Sequence, residues 1–158
     1  MKQIYSILSV TLAFSMLAFT SCSDDDGDSF NRTEALTTKK WTVSKIEAGM
    51  ADEYTDITDS ELYDCEVDDY STFSKENVYI YAPGEDDCDG SAEENKGAWA
   101  WKDGEKILAL TQFGETDDYT VVSMSATELK LKLEYKDEFV QVGGTTYYYT
   151  EITTYTGK

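Results

Sequence analysis

The stretch from residue 128 to residue 136 constrains the fold most, because its side chains alternate strictly between apolar and polar. Its apolar side chains are Leu129, Leu131, Leu133 and Tyr135, and three lysines and two glutamates alternate with them. A period of two is typical of a β-strand with one buried face and one solvated face. Antiparallel sheets commonly have this arrangement, so the stretch predicts an antiparallel sheet.

Seven other stretches have strand character and are separated by turn residues. They are residues 40–48, 69–73, 78–81, 97–102, 106–111, 118–124 and 145–156. Asp103-Gly104 is a hairpin signal because glycine accepts a positive φ, and residues 137–144 are expected to turn the chain. Eight sequential strands can close into an up-and-down barrel, which leaves no exposed edge. We therefore predict an all-β, eight-stranded antiparallel barrel over residues 31–158.

Two short helical turns are expected outside the strands. Asn31 can cap a turn that runs through Leu36, with Glu34 as the capping-box partner. Residues 58–61, Thr-Asp-Ser-Glu, repeat this pattern inside a long polar connection over residues 49–68. One turn thus precedes the first strand, and the other lies in the first long connection.

Residues 1–21 have the pattern of a secretory signal, with Lys2, an apolar run and the small pair Thr20-Ser21 at a cleavage site. Cys22 follows this pair directly, and the segment resembles the lipobox of a bacterial lipoprotein. The resemblance implies cleavage before Cys22 and acylation of Cys22. Several acyl chains anchor a protein firmly, since each buried methylene adds about 0.8 kcal/mol. The alternative is a secreted protein in which Cys22 is incidental.

Residues 22–30 are predicted to form a flexible acidic tether, because Ser23 to Ser29 include no apolar side chain to bury. The acidic run resembles the export signal of surface lipoproteins in Bacteroidetes-type bacteria. This resemblance implies lipid anchoring in the outer membrane, on its cell-surface face, with the periplasmic face as the alternative.

Charge and composition argue against several classes of function. The chain has 13 basic and 32 acidic side chains and a formal net charge of −19, so it repels phosphate backbones and no nucleic-acid partner is expected. It contains no histidine, so histidine-based nucleophile pairs are excluded and the commonest zinc ligand is missing. Carboxylate pairs are the remaining catalytic alternative. We predict a protein that is not an enzyme and has no cofactor.

One acidic stretch partly matches a calcium-binding loop. Glu85, Asp87, Asp89 and Gly90 fall at the first template positions, but Lys96 replaces the bidentate glutamate. We therefore predict a solvated acidic loop without a metal.

With Cys22 assigned to the anchor, Cys65 and Cys88 remain as a pair. An exported chain with an even number of cysteines favours a disulfide between them. The alternative is two free thiols.

The order of several features along the chain carries a family resemblance. Trp41 opens the first strand after a helical turn, one cysteine precedes the aromatic strand 69–73, and another follows the next strand. Gly97-Ala98-Trp99, Asp103-Gly104 and a last strand rich in tyrosine and threonine come later. In this order they resemble the lipocalin-like, calycin-type domains of lipoproteins from Bacteroidetes-type bacteria. The resemblance implies a fold and a cellular address, but no particular ligand.

The aromatic side chains are the candidate ligand contacts. They are Trp41, Phe73, Trp99, Trp101, Tyr147 and Tyr149. We expect the tryptophans to point inward, with Trp99 deep and Trp41 meeting Tyr147 and Tyr149 at one end of the lumen. Such rings can line a pocket for a small ligand or simply fill an eight-stranded barrel.

The sequence therefore predicts a lipid-anchored, non-catalytic binding module that holds a small apolar or sugar-like ligand in the barrel mouth. The alternative is a surface protein-interaction or structural lipoprotein with a filled core. Its partner would contact the outer wall or the loop over residues 83–96.

Overall fold

The computed structural model of the chain describes residues 30–85, 88 and 94–158. The predicted signal, the predicted tether up to Ser29, and Cys22 lie outside the described residues, as do Asp87, Asp89 and Gly90. In the described part of the chain, no helix has the length and apolar character needed to span a bilayer.

Two short helices and nine strands make up the described residues. In chain order they are α1 (Arg32–Thr37), β1 (Lys40–Met50), β2 (Glu53–Asp56), α2 (Thr58–Glu61), β3 (Tyr70–Phe73), β4 (Val78–Ala82), β5 (Asn95–Lys102), β6 (Ile107–Gln112), β7 (Glu115–Met124), β8 (Glu128–Val142) and β9 (Thr145–Gly157).

Eight of the strands form a closed ring. The order β1-β3-β4-β5-β6-β7-β8-β9 returns to β1, because β9 pairs with β1 from Gly157 opposite Trp41 to Thr150 opposite Gly49. Every pairing in the ring is antiparallel. Apart from the closing pair of β9 and β1, each pairing joins two ring strands that follow one another along the chain. The predicted eight-stranded, up-and-down antiparallel barrel is confirmed.

The ninth strand, β2, was not predicted. It pairs with the far end of β1, so that β1 extends to Met50 rather than ending at Ala48. The two strands are joined at Ala51 and Asp52, which have φ values of 54° and 65°. Hairpin turns with positive φ usually contain glycine or asparagine. Ala-Asp lacks that signal, and the hairpin was therefore missed.

The turn predicted over residues 137–144 is wrong. β8 continues to Val142, and the chain reverses only at Gly143 and Gly144, with φ values of 59° and 83°. Phe113 and Gly114 turn the chain in the same way, so β7 begins at Glu115 rather than Asp118. The exposed charges of residues 136–138 obscured the strand, because this part of β8 lies beyond the barrel wall.

α1 closes one end of the barrel, which we call the floor. The Asn31 side chain caps the helix by accepting a hydrogen bond from the Glu34 N–H over 2.9 Å, as predicted. Leu36 on this helix is completely buried. The Arg32 guanidinium donates to the Glu105 carbonyl over 2.6 Å and ties the helix to the β5–β6 turn.

The three tryptophan N–H groups all hydrogen-bond to segments at the floor. Trp41 donates to the Leu36 carbonyl over 3.0 Å, and Trp101 donates to the Thr33 hydroxyl over 2.9 Å. Trp99 donates to the Ser74 carbonyl, also over 2.9 Å. Buried indole groups need such partners. These bonds fix the inward orientation predicted for the tryptophans.

α2 forms at the predicted residues, but its cap differs from the prediction. Its N-cap is Ile57, which provides no side-chain hydrogen bond. The Thr58 hydroxyl instead accepts a hydrogen bond from the Ile46 N–H over 2.9 Å and contacts Asp56 over 2.6 Å. Thr58 therefore attaches the helix to β1 rather than capping it.

Candidate functional site

Residues 57–69 form a segment that we call the roof. It leads from the hairpin of β1 and β2 to the start of β3, at the end of the barrel opposite the floor. β1 and β3 pair only from Lys40 to Thr42, so the two strands have no further pairing beyond that point. The roof runs beside this gap.

A disulfide holds the roof in place. Cys65 in the roof is bonded to Cys88 in the loop after β4, with Cα atoms 5.2 Å apart and a separation of 23 positions in sequence. The predicted bridge is confirmed. It links two irregular segments that the strand ladders do not fix.

The deep lumen is filled by side chains. Trp41, Leu108 and Leu129 are each at most 1% exposed. The ring centroids of Phe73 and Trp99 lie 6.0 Å apart in an edge-on arrangement. The space that remains beside Trp41, Phe73 and Leu129 is about 10 Å³, room for a single water at most. For this half of the barrel, the filled-core alternative is correct.

A larger cavity lies beneath the roof, and we call it the roofed cavity. Its volume is about 120 Å³. It is lined from the barrel wall and from the roof by Trp41, Val43, Leu62, Glu66, Asp69, Ser71, Tyr79, Tyr81 and Tyr155. This space is smaller than the pockets that hold drug-sized ligands. It suits a ligand of a few heavy atoms.

Polar groups of the roofed cavity are ordered by hydrogen bonds. The Tyr81 hydroxyl donates to Asp69 Oδ2 over 2.5 Å, and Asp69 Oδ1 accepts from the Gly84 N–H over 2.9 Å. The hydroxyl groups of Ser71 and Tyr79 lie 3.2 Å apart. These contacts hold hydroxyl groups and a carboxylate against the cavity in defined positions.

The tyrosines of the cavity remain protonated well above neutral pH. Burial raises the pKa of Tyr79, Tyr81 and Tyr155. At Tyr81 the hydrogen bond to Asp69 raises the pKa further, because the carboxylate opposes a phenolate beside it. The cavity therefore offers neutral hydroxyl groups and aromatic faces, and its negative charge resides on carboxylates.

The six aromatic residues proposed from the sequence separate into different regions. Trp41 lines the roofed cavity, whereas Phe73, Trp99 and Trp101 belong to the packed core and floor.

The expected meeting of Trp41 with Tyr147 and Tyr149 is wrong. Antiparallel pairing places Gly157, rather than the start of β9, beside Trp41. Tyr149 instead pairs with Tyr135, and their ring centroids are 5.7 Å apart.

Glu66, Asp69, Tyr79, Tyr81 and Tyr155 were not singled out from the sequence. Alternation along β4 and β9 was the available signal for the tyrosines, because every second residue faces the lumen. The two acidic residues carried no such signal. Their side chains reach the cavity only because the roof folds back over the barrel.

The far ends of β8 and β9 form a two-stranded ribbon, residues 135–149, beyond the barrel wall. β7 pairs with β8 only as far as Lys132, and β1 pairs with β9 only as far as Thr150. Phe139, Val140 and Val142 on this ribbon are 52%, 45% and 64% exposed. The ribbon thus exposes apolar side chains, and none of its residues lines the roofed cavity.

The outer wall has a larger depression of about 380 Å³, which Lys40, Tyr70 and Lys158 help to line. It is shallow and open, so it encloses a ligand less well than the roofed cavity does.

Across the described residues, no three side chains of the metal-binding types lie close enough together to hold a metal ion.

No protein family matches this chain, and no curated protein sequence matches it. Among solved structures it is similar to the bovine odorant binding protein deswapped triple mutant, with 18% identity and a TM-score of 0.42 over 78% of this chain and 74% of that chain. It is also similar to bovine odorant binding protein in complex with a selenium-containing odorant, with 16% identity and a TM-score of 0.43 over 83% of this chain and 74% of that chain.

Proposed function

We propose that this protein is a non-catalytic binding module that encloses a small ligand in the roofed cavity. The observation that carries the proposal is a cavity of about 120 Å³ lined by aromatic rings and ordered polar groups, above a packed core. Small-ligand sites combine an apolar wall with a few precisely placed polar groups. The volume points to a ligand smaller than the apolar or sugar-like molecules predicted from the sequence.

We also propose that the module is a lipoprotein anchored in the outer membrane through Cys22. The lipobox-like segment and the acidic run after it support this address, with the cell-surface face expected. Binding would then take place at the membrane surface, and the barrel would be held there by the tether.

Native mass spectrometry tests the binding function directly. The protein is purified without denaturation, and the intact folded mass is compared with the denatured mass. We expect a small noncovalent adduct that is lost when Val43 is replaced by Phe, because the larger side chain fills the cavity. Val122→Phe is the control, since Val122 is half exposed on the outer wall. The proposal would be overturned if the wild-type protein carried no small adduct after purification and formed none when small molecules were added to it.

A protein-interaction role is the second candidate, and the exposed ribbon favours it. Phe139, Val140 and Val142 present apolar area that the barrel itself does not cover. Exposed apolar patches on a folded protein often mark an interaction site. A photoreactive amino acid at Val142 should cross-link a partner in intact cells, whereas one at Thr116 on β7 should not. Equal cross-linking at both positions would argue against a specific partner.

A further inference from the structure

The charged side chains among the described residues that line the roofed cavity are acidic. Glu66 and Asp69 provide two carboxylates, while Trp41, Tyr79 and Tyr81 provide aromatic rings. Among the described residues that line the cavity, none is a lysine or an arginine. The net charge of −19 adds a negative potential over the whole surface. A negatively charged ligand would therefore be repelled.

Aromatic faces and carboxylates together favour one class of ligand. The face of an aromatic ring carries negative potential, and ring-lined cages recognise substituted ammonium groups through it. A carboxylate adds a charge-assisted hydrogen bond to an N–H of such a group. We propose that the roofed cavity binds a small organic ammonium ion, with Glu66 as its principal anionic contact. This inference rests on the proposed binding function and specifies its ligand class.

Glu66 is a better contact for a cation than Asp69 is. Both oxygens of Asp69 already accept hydrogen bonds, one from the Tyr81 hydroxyl and one from the Gly84 N–H. For Glu66, the described residues provide one such bond, from the Tyr63 N–H to Oε2 over 3.2 Å. Glu66 Oε1 therefore accepts no hydrogen bond from the described residues and is available to a ligand.

The disulfide positions Glu66. Cys65, the preceding residue, is bonded to Cys88 and so fixes the roof beside the cavity. Ordering the contact before the ligand arrives reduces the entropic cost of binding. Reduction of the bridge should therefore weaken binding of the ammonium ion, even under conditions in which the barrel stays folded.

Three probes of similar size and different charge test the ligand class. They are 2-methylpropylamine, which is cationic at neutral pH, the neutral 2-methylpropan-1-ol, and the anionic 2-methylpropanoate. Isothermal titration of the oxidised protein measures each affinity, and tryptophan emission, to which Trp41 contributes together with Trp99 and Trp101, provides a second readout. We expect the amine to bind at least tenfold more tightly than the alcohol, and the carboxylate to bind more weakly than both.

Glu66→Gln is the matched variant, because it removes the charge and keeps the shape of the side chain. We expect it to weaken amine binding at least tenfold and to leave alcohol binding unchanged. Glu61→Gln is the control, since Glu61 is exposed on α2 and does not line the cavity. Its affinity for the amine should match that of the wild type.

The outcomes separate the ligand class from the binding function. If the alcohol binds as tightly as the amine, or if Glu66→Gln binds the amine like the wild type, the ammonium inference is wrong and the binding function stands. If none of the three probes binds, the inference is also overturned. The binding function is then judged by the native mass spectrometry described above.

Discussion

Gly157 lies directly opposite Trp41 where β9 pairs with β1 and closes the barrel. A β-carbon placed on Gly157 would approach Cζ3 of the Trp41 ring to 2.9 Å, closer than real β-carbons come to other atoms. Gly157 therefore provides the space that the indole occupies. The packing of Trp41 between the floor and the roofed cavity depends on this missing side chain.

Replacing Gly157 with Ala should lower the free energy of unfolding by about 1–3 kcal/mol, as overpacking in a tight core does. Chemical denaturation followed by far-UV circular dichroism measures the change. Thr156→Ala is the control, because Thr156 is exposed, and it should change stability by less than about 0.5 kcal/mol. Wild-type stability in Gly157→Ala would show that Trp41 is not packed against this position.

Trp99→Ala should destabilise the barrel by about 3–5 kcal/mol, the range for removing a large aromatic side chain from a filled core. The side chain is 5% exposed, lies edge-on to Phe73 and Trp101, and donates to the Ser74 carbonyl. Thermal and denaturant unfolding measure the loss. If Trp99→Ala lowered the free energy of unfolding no more than Val122→Ala does on the exposed outer wall, Trp99 would not be part of a packed core.

Loss of the disulfide should cost about 3 kcal/mol, because the bridge closes a loop of about two dozen residues in the unfolded chain. Paired replacement of Cys65 and Cys88 by Ser tests this in denaturant unfolding. Intact-mass labelling of the unfolded, unreduced wild type should find no free thiol at either position. Labelling of both cysteines would disprove the bridge.

Stability should fall as the pH rises through the alkaline range, because burial raises the pKa of several tyrosines, among them Tyr135 at the base of the ribbon. Burial and the nearby Glu151 carboxylate raise the pKa of Tyr135 to about 12. A tyrosine in the unfolded chain has a pKa of about 10. The stabilising contribution of the protonated phenol is therefore complete below about pH 10 and is lost as the pH rises towards 12.

Tyr135→Phe tests this assignment. The variant should lack one tyrosinate absorbance step near pH 12 and should lose less stability than the wild type between about pH 10 and 12. Ultraviolet titration and urea unfolding at several pH values measure the two effects. Identical alkaline profiles in variant and wild type would show that Tyr135 does not contribute.

Cys22→Ala should release the protein from the membrane fraction, because it removes the predicted site of acylation. Fractionation of cells that express the wild type or the variant measures this. Ser23→Ala is the matched control and should stay with the membranes. A Cys22→Ala protein that also remains in the membrane fraction would rule out the lipid anchor.

Much of the barrel was predictable because strand alternation is a local property. The alternation of residues 129–135 places Leu129 and Leu131 inside, and both are at most 2% exposed. The hairpins at Ala51 and at Gly143 were missed or misplaced for an equally local reason. Ala51-Asp52 lacks the glycine or asparagine of a typical hairpin turn, and the charged residues 136–138 obscured the strand that leads to Gly143. The strands at both places gain stability from pairing rather than from burial.

The candidate site was much less predictable. Trp41 lines a cavity, but Tyr147 and Tyr149, which were expected beside it, pair with β8 away from it. Sequence order shows that the first and last strands are neighbours, whereas antiparallel direction decides which ends meet. Glu66 and Asp69 come from an irregular segment, and no periodicity predicts where such residues point.

The sequence by itself determined the strand pattern, the closure into an eight-stranded barrel, the cysteine pair and the charge, because these depend on residue type and spacing. Tertiary structure alone decided that the deep lumen is filled and that a cavity remains beneath the roof. Whether facing side chains fill a barrel depends on their volumes and rotamers taken together. In this chain the balance also depends on Cys65 and Cys88, whose disulfide holds the roof over the roofed cavity.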